Sequence, residues 1–157
     1  MSGPARAGLF VYAKDVERLT AFYAELLGMV RAHATPQMTV LRSPDLQLVV
    51  HAMPPERAAQ VSIATPPVPR DDAAFKFFHT VPSLAQARET AAALGGAVWP
   101  EQYRGPGFIV CNAVDPEGNI FQGELTFDQL LFNRPFPGYA QYRAPVQAAP
   151  TPTPAAE

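Results

Sequence analysis

The sequence has little with which to staple itself, hold nucleic acid or cross a membrane. One cysteine, Cys111, stands among 157 residues. That excludes an internal disulfide and a cysteine-based zinc site. Lysine and arginine number 12 against 14 acids, for a formal charge of -2. With no basic run to neutralise phosphates, no nucleic-acid partner is expected. Long apolar runs are missing as well. The first, Leu9–Ala13 with Gly8 ahead of it, stops at Lys14 and Asp15. It is too short for a signal peptide or a membrane span, so a cytoplasmic protein without a membrane partner is expected. There is no Gly-x-Ser-x-Gly, no phosphate-binding loop and no dinucleotide fingerprint.

What is present is a globular composition, 48% hydrophobic and 17% charged, at a length that suits one domain with a real core. Much of the proline lies in residues 54–69 and 144–157. The first stretch should be a connector, with a helical turn at Glu56–Gln60. The second has almost nothing to bury and reads as a disordered tail. The expected organisation is a single domain over residues 1–143. It holds modules at about 6–53 and 73–126, a linker at 54–72 and a packing segment at 127–143. That last segment carries Phe127, Leu130, Leu131, Phe132, Phe136, Tyr139 and Tyr142. It should pack on its own domain, form a dimer contact or cover the cleft.

The two modules repeat each other. In the first, strand Leu9–Ala13 leads to Asp15 as a helix cap. Apolar residues follow at Val16, Leu19, Phe22, Tyr23, Leu26 and Leu27, which is helical spacing, and Gly28 stops the helix. In the second, strand Phe75–Val81 leads to Ser83 as cap, with Gln86 completing a capping box. Leu84, Ala87, Ala91 and Leu94 follow, and Gly95-Gly96 is the stop. The caps are 68 residues apart and the Leu-Gly stops 67. Near-equal offsets point to an internal duplication. Three strands should follow each helix: Met29–Ala34, Met38–Arg42 and Leu46–Ala52, then Ala97–Pro100, Gly107–Val114 and Asn119–Leu125. Asp115-Pro116-Glu117-Gly118 turns the last pair. The expected fold class is therefore α+β, with two tandem β-α-β-β-β modules forming a cleft between curved mixed sheets.

Three passages, FVYAKDVERLTAFYAELLGM (10–29), FHTVPSLAQARETAAALGG (78–96) and VDPEGNIFQ (114–122), resemble the vicinal oxygen chelate superfamily. That group includes glyoxalase I, extradiol dioxygenases, and fosfomycin- and bleomycin-resistance proteins. The likeness covers roughly residues 8–126 and implies the fold; it does not imply one activity. In the metal-dependent members, the resemblance implies, four ligands drawn from His, Glu and Gln come from four strands. Carried over position by position, they fall on Gly8, Gln47, Lys76 and Gln122. This departs from the metal pattern. Glycine has no donor atom, protonated lysine sets a positive charge where a dication would sit, and neither glutamine brings negative charge. The expectation is therefore no metal and no other cofactor.

Alternation along the strands lists the rest of the cleft. Phe10 and Tyr12 follow Gly8, and His51 shares a face with Gln47 and Val49. Phe78 and Thr80 follow Lys76, and Glu124 follows Gln122. His79 has the opposite parity and should face the helix with Phe77 and Val81; His33 should lie on an exposed strand. Cys111 sits in an apolar run and reads as inert. The ligand-binding set is then Phe10, Tyr12, Gln47, His51, Lys76, Phe78, Gln122 and Glu124, with catalytic residues unassigned. The bland alternative makes the aromatics core and pairs Lys76 with Glu124. Of the functional readings, the leading one is a protein similar in kind to the bleomycin-resistance type, holding a small, partly apolar or anionic molecule in a metal-free cleft. A second is a metal-dependent lyase, isomerase or dioxygenase with His51, Glu124, Gln47 and Gln122 as altered ligands. A third is a metal-free enzyme with His51 or Glu124 as general base. The resemblance also implies a homodimer.

Overall fold

The computed structural model describes residues 7–44, 46–105 and 108–126. The segment expected to pack beyond Leu125 and the Pro/Ala tail lie outside these residues, save for the end of the last strand. The described chain folds as two mixed sheets with helices between them. In the first half β1 (Ala7–Ala13) leads into α1 (Val16–Leu27), then β2 (Val30–Ala34), β3 (Met38–Arg42) and β4 (Leu46–Ala52). The sheet order is β1-β4-β3-β2, with β1 parallel to β4. A short helix, α2 (Pro55–Ala58), begins the linker. In the second half β5 (Phe78–Thr80) leads into α3 (Leu84–Ala93) and four further strands. These are β6 (Ala97–Val98), β7 (Tyr103–Gly105), β8 (Phe108–Val114) and β9 (Ile120–Thr126). Here β5 is parallel to β9, the order is β5-β9-β8-β6, and β7 also pairs with β8.

Both helix starts are fixed locally. The Asp15 carboxylate accepts from the Arg18 N–H at 3.0 Å, and the Ser83 hydroxyl accepts from the Gln86 N–H at 3.2 Å. Each satisfies one of the N–H groups that a helix start leaves open. Gly28 ends α1 at φ 61°, a left-handed conformation that glycine adopts without steric cost.

Two strands of the second half differ most from the sequence expectation. The opening strand of the second half is Phe78–Thr80, shorter than Phe75–Val81. Phe78 pairs with Gln122, so Lys76 would fall opposite Ile120, the first residue of β9. The ladder itself starts only at Phe78 and Gln122, and Lys76 lies ahead of it. The expected strand Ala97–Pro100 is shortened to β6, and a further strand that was not expected, β7, follows it along the same edge of β8. Pro100 has no N–H to give the ladder. The Trp99 N–H makes the last bond at the end of β6, to the Asn112 carbonyl at 2.9 Å. Pairing resumes at Tyr103 with Val110, so the chain between bulges outward.

Alternation holds on the faces that meet the helices. Ala13, Leu48, Val50, Val81 and Phe121 are buried in one cluster with Leu19, Phe22, Tyr23, Leu26 and Leu27 of α1 and Leu84, Ala87 and Ala91 of α3. His79 is buried with them and His33 is exposed. The helices lie in contact, and the core is common to both halves.

The turn 115–118 joins those halves. The buried Asp115 carboxylate accepts from the Tyr23 hydroxyl at 2.7 Å, from the Glu117 and Asn119 N–H groups at 2.9 Å each, and from Asn119 Nδ2 at 2.7 Å. Glu117, also buried, accepts from the N–H groups of Lys14 at 2.9 Å and Asp15 at 2.7 Å. One carboxylate thus shapes the hairpin and the other clasps the entry to α1. Gly118, at φ 92°, lets the turn lie against the linker; a Cβ there would collide with the Val68 carbonyl.

Burial, together with the charge and hydrogen bond of Asp115, raises the Tyr23 phenol well above its ordinary value. The sign of the linkage follows. A group with a raised folded pKa contributes stability that is full below its unfolded pKa and is lost as pH rises through that value and on to the folded one. The unfolding free energy should therefore fall as pH passes about 10, where an unfolded tyrosine ionises. Tyr23→Phe should cost about 1–2 kcal/mol near neutrality, and the gap to the wild type should narrow above that pH. Urea unfolding across the alkaline range measures both. Parallel curves would refute the assignment.

Candidate functional site

The faces turned away from the helices carry the residues that alternation singled out. On the first sheet Gly8, Phe10 and Tyr12 stand in register with Gln47, Val49 and His51. The Tyr12 and His51 rings meet edge to face, centroids 5.9 Å apart. The His51 ring nitrogen Nδ1 lies 2.8 Å from the Ala52 carbonyl, which accepts from it in the tautomer that carries hydrogen on Nδ1. On the second sheet Phe78 is in register with Gln122, and Thr80 with Glu124. The Glu124 side chain lies outside the described residues. Lys76 Nζ donates to Asn112 Oδ1 at 3.3 Å, and Gln122 Nε2 donates to the same oxygen at 3.2 Å. The site residues thus form two polar groups, one per sheet.

Aromatic rings flank both groups. Phe10, Tyr12 and Phe78 expose 62%, 56% and 63% of their surface, so these rings are available to a ligand rather than used as core. A cleft of about 710 Å³ runs along β1. Phe10 and Tyr12 line it with Met53, Arg57, Arg70, Phe75 and Phe77. Its volume is within the usual range of small-molecule sites. Gln47, His51, Lys76, Phe78 and Gln122 lie outside its lining. A smaller cavity of about 200 Å³ lies between the end of α1 and the β5–α3 corner and holds none of the expected ligand-binding residues.

Three contributors escaped the sequence reading. Asn112 was within reach of it. With Val114 paired to Ile120 across the hairpin, counting two residues away from the turn on each strand sets Asn112 beside Gln122. Arg57 and Arg70 carry no such signal, because they belong to a linker whose path no periodicity describes.

The four positions onto which the resemblance carries metal ligands do not fit a cation here. Gly8 offers no donor atom, and the Lys76 ammonium is bound to Asn112, which also engages Gln122. Among the described residues no three His, Cys, Asp or Glu side chains converge on one point. Cys111 is buried, and burial raises its thiol pKa against the opposing influence of Arg88, whose Nη2 lies 3.3 Å away. A raised thiol is a poor nucleophile.

Two successive halves, each a strand and a helix followed by three strands in the first and four in the second, with an aromatic face and an adjoining cleft, define a glyoxalase-type fold. The Glyoxalase-like domain family matches residues 8–122, and the chain belongs to that family. Solved structures agree on the fold. A glyoxalase/bleomycin resistance protein/dioxygenase family enzyme from Burkholderia phytofirmans PsJN is 17% identical, with a TM-score of 0.56 over 76% of this chain and 96% of that one. A glyoxalase-related enzyme from Fulvimarina pelagi is 18% identical, with a TM-score of 0.57 over 78% of this chain and 88% of that one. A stretch of 32 residues is also 56% identical to pyridine nucleotide-disulfide oxidoreductase domain-containing protein 2 of Mus musculus and of Rattus norvegicus. It makes up 20% of this chain, which spans only 6% of the length of those proteins. No helix among the described residues is long and apolar enough to cross a membrane.

Proposed function

We propose that this glyoxalase-like protein binds a small, partly apolar or anionic molecule on its aromatic sheet faces without a metal ion. The observation that carries the reading is the ammonium of Lys76, held by Asn112 beside Gln122 where metal-dependent relatives place ligands. Its positive charge favours an anionic oxygen, as a metal would, but it cannot chelate two oxygens at once. Of its polar neighbours on that sheet, Asn112 and Gln122 add amide donors and acceptors, and Phe78 supplies an exposed apolar surface.

The test has two parts. Elemental analysis after expression in metal-supplemented medium should find no stoichiometric zinc, iron, manganese or nickel; one equivalent, lost on Gln47→Ala or Gln122→Ala, would favour the metal-dependent alternative. Compounds found in a ligand screen are then titrated by calorimetry against the wild type and Lys76→Met. Anionic ligands should bind about 1.5–3 kcal/mol more weakly to the variant, while neutral ones change little. Equal losses for both would leave Lys76 with a shaping role only.

A further inference from the structure

The linker forms part of the wall of the 710 Å³ cleft. Its ends are tied down. The Met53 N–H donates to the Ala13 carbonyl at 2.9 Å, and the Arg70 N–H donates to the Gly118 carbonyl at 2.8 Å. Between these ties α2 carries Arg57 on its single turn, where Pro55 fits the first helical position. Arg57 and Arg70 therefore border the same cavity from the two ends of the linker.

Three features of that cavity point to one chemistry. Neither arginine side chain has a hydrogen bond or ion pair among the described residues, whereas Arg31 is paired with Glu17 at 2.6 Å. Among the described residues no aspartate or glutamate lines the cavity; the nearby acids in the sequence, Glu56, Asp71 and Asp72, are exposed outside it. Phe10, Tyr12 and Phe75 provide broad apolar surface beside the two cations, and Phe75 leaves 89% of its own surface exposed. A guanidinium offers several N–H donors in a planar fork that matches a carboxylate or phosphate.

We propose that the linker builds an anion-binding subsite, in which Arg57 and Arg70 hold the carboxylate or phosphate of a ligand whose aromatic or other apolar body lies on Phe10, Tyr12 and Phe75. The inference rests on the reading of this protein as a small-molecule binder and adds the class of ligand. It places an anionic group on the linker, apart from Lys76.

The test uses 2-naphthoate and 2-naphthyl phosphate as anionic probes and 2-naphthamide as their neutral counterpart, titrated by fluorescence. Proteins compared are the wild type, Arg57→Gln/Arg70→Gln, Arg57→Lys/Arg70→Lys and Lys76→Met, each with its melting temperature measured. The glutamine pair should weaken anionic probes at least about tenfold, the scale of a lost charged hydrogen bond. It should leave naphthamide and the melting temperature unchanged, and the lysine pair should recover much of the loss. Preference for naphthyl phosphate or for naphthoate identifies the anion. Loss confined to Lys76→Met would support the Lys76 site and overturn the linker subsite. Loss confined to the glutamine pair would support the subsite and count against Lys76. Equal weakening of naphthamide and naphthoate by the glutamine pair, or no binding of either anion by the wild type at millimolar concentration, would overturn the proposal.

Discussion

Asp115→Ala is expected to destabilise the protein by roughly 3–5 kcal/mol. The carboxylate accepts four hydrogen bonds, from the Tyr23 hydroxyl, the Glu117 and Asn119 backbone and the Asn119 side chain, and is fully buried. Its removal leaves donors unmet where water does not reach. Leaving one such group unpaired costs about 1–3 kcal/mol, and the costs are coupled because the same bonds shape the turn that aims Glu117. Burial raises the Asp115 pKa, while the donors from Tyr23, Asn119 and Glu117 pull the other way. Asp115→Asn retains one carbonyl oxygen and should lose about half as much. The melting temperature of the alanine variant should fall by about 10 °C on the usual scaling for a chain of this size. Hydrogen exchange locates the damage: the amides of Lys14 and Asp15, held by Glu117, should lose protection with those of the turn. A loss below about 1 kcal/mol, or exchange that rises only within the turn, would show that the turn does not clasp the two halves.

Phe121→Ala should be comparably damaging, at about 3–5 kcal/mol. Phe121 is 1% exposed, stacks on Phe77 with centroids 5.3 Å apart and an interplanar angle of 9°, and meets Phe22 and Tyr23 edge to face at 6.0 and 5.6 Å. Phe22 and Tyr23 belong to α1, and Phe121 to β9, so this aromatic group joins the halves from within the core. Truncation leaves a cavity that the surrounding rings fill only in part. Tyr23 and Phe77 also line the large cleft. The variant should accordingly lose binding of apolar probes along with stability, whereas Phe121→Leu should lose less of both. Denaturant unfolding and naphthamide titration, run on each variant below its melting temperature, check the pair. A destabilised Phe121→Ala that bound naphthamide as the wild type does would separate the core from the cleft and refute the connection.

Local chemistry made much of the fold legible in the sequence. Asp15 and Ser83 cap helices through bonds to residues three positions on, a relation set by backbone geometry near each cap. The pleat fixes alternation along a strand, so the outward faces of Phe10, Tyr12, Gln47 and His51 and the inward face of His79 followed once the strands were located. The tertiary structure decided what depends on distant partners. Glu117 reaches the amide of Lys14 across 103 positions in sequence, and Tyr23 reaches Asp115 across 92; the Asp-Pro-Glu-Gly-Asn passage alone reads as a turn. Lys76 fell outside its expected strand because the ladder of β5 with β9 begins only at Phe78, and its ammonium is held by Asn112 of β8 instead. Arg57 and Arg70 came to one cavity because contacts at both ends of the linker fix its course. Periodicity records which way a residue faces within an element, whereas the packing of elements against one another determines what lies opposite it.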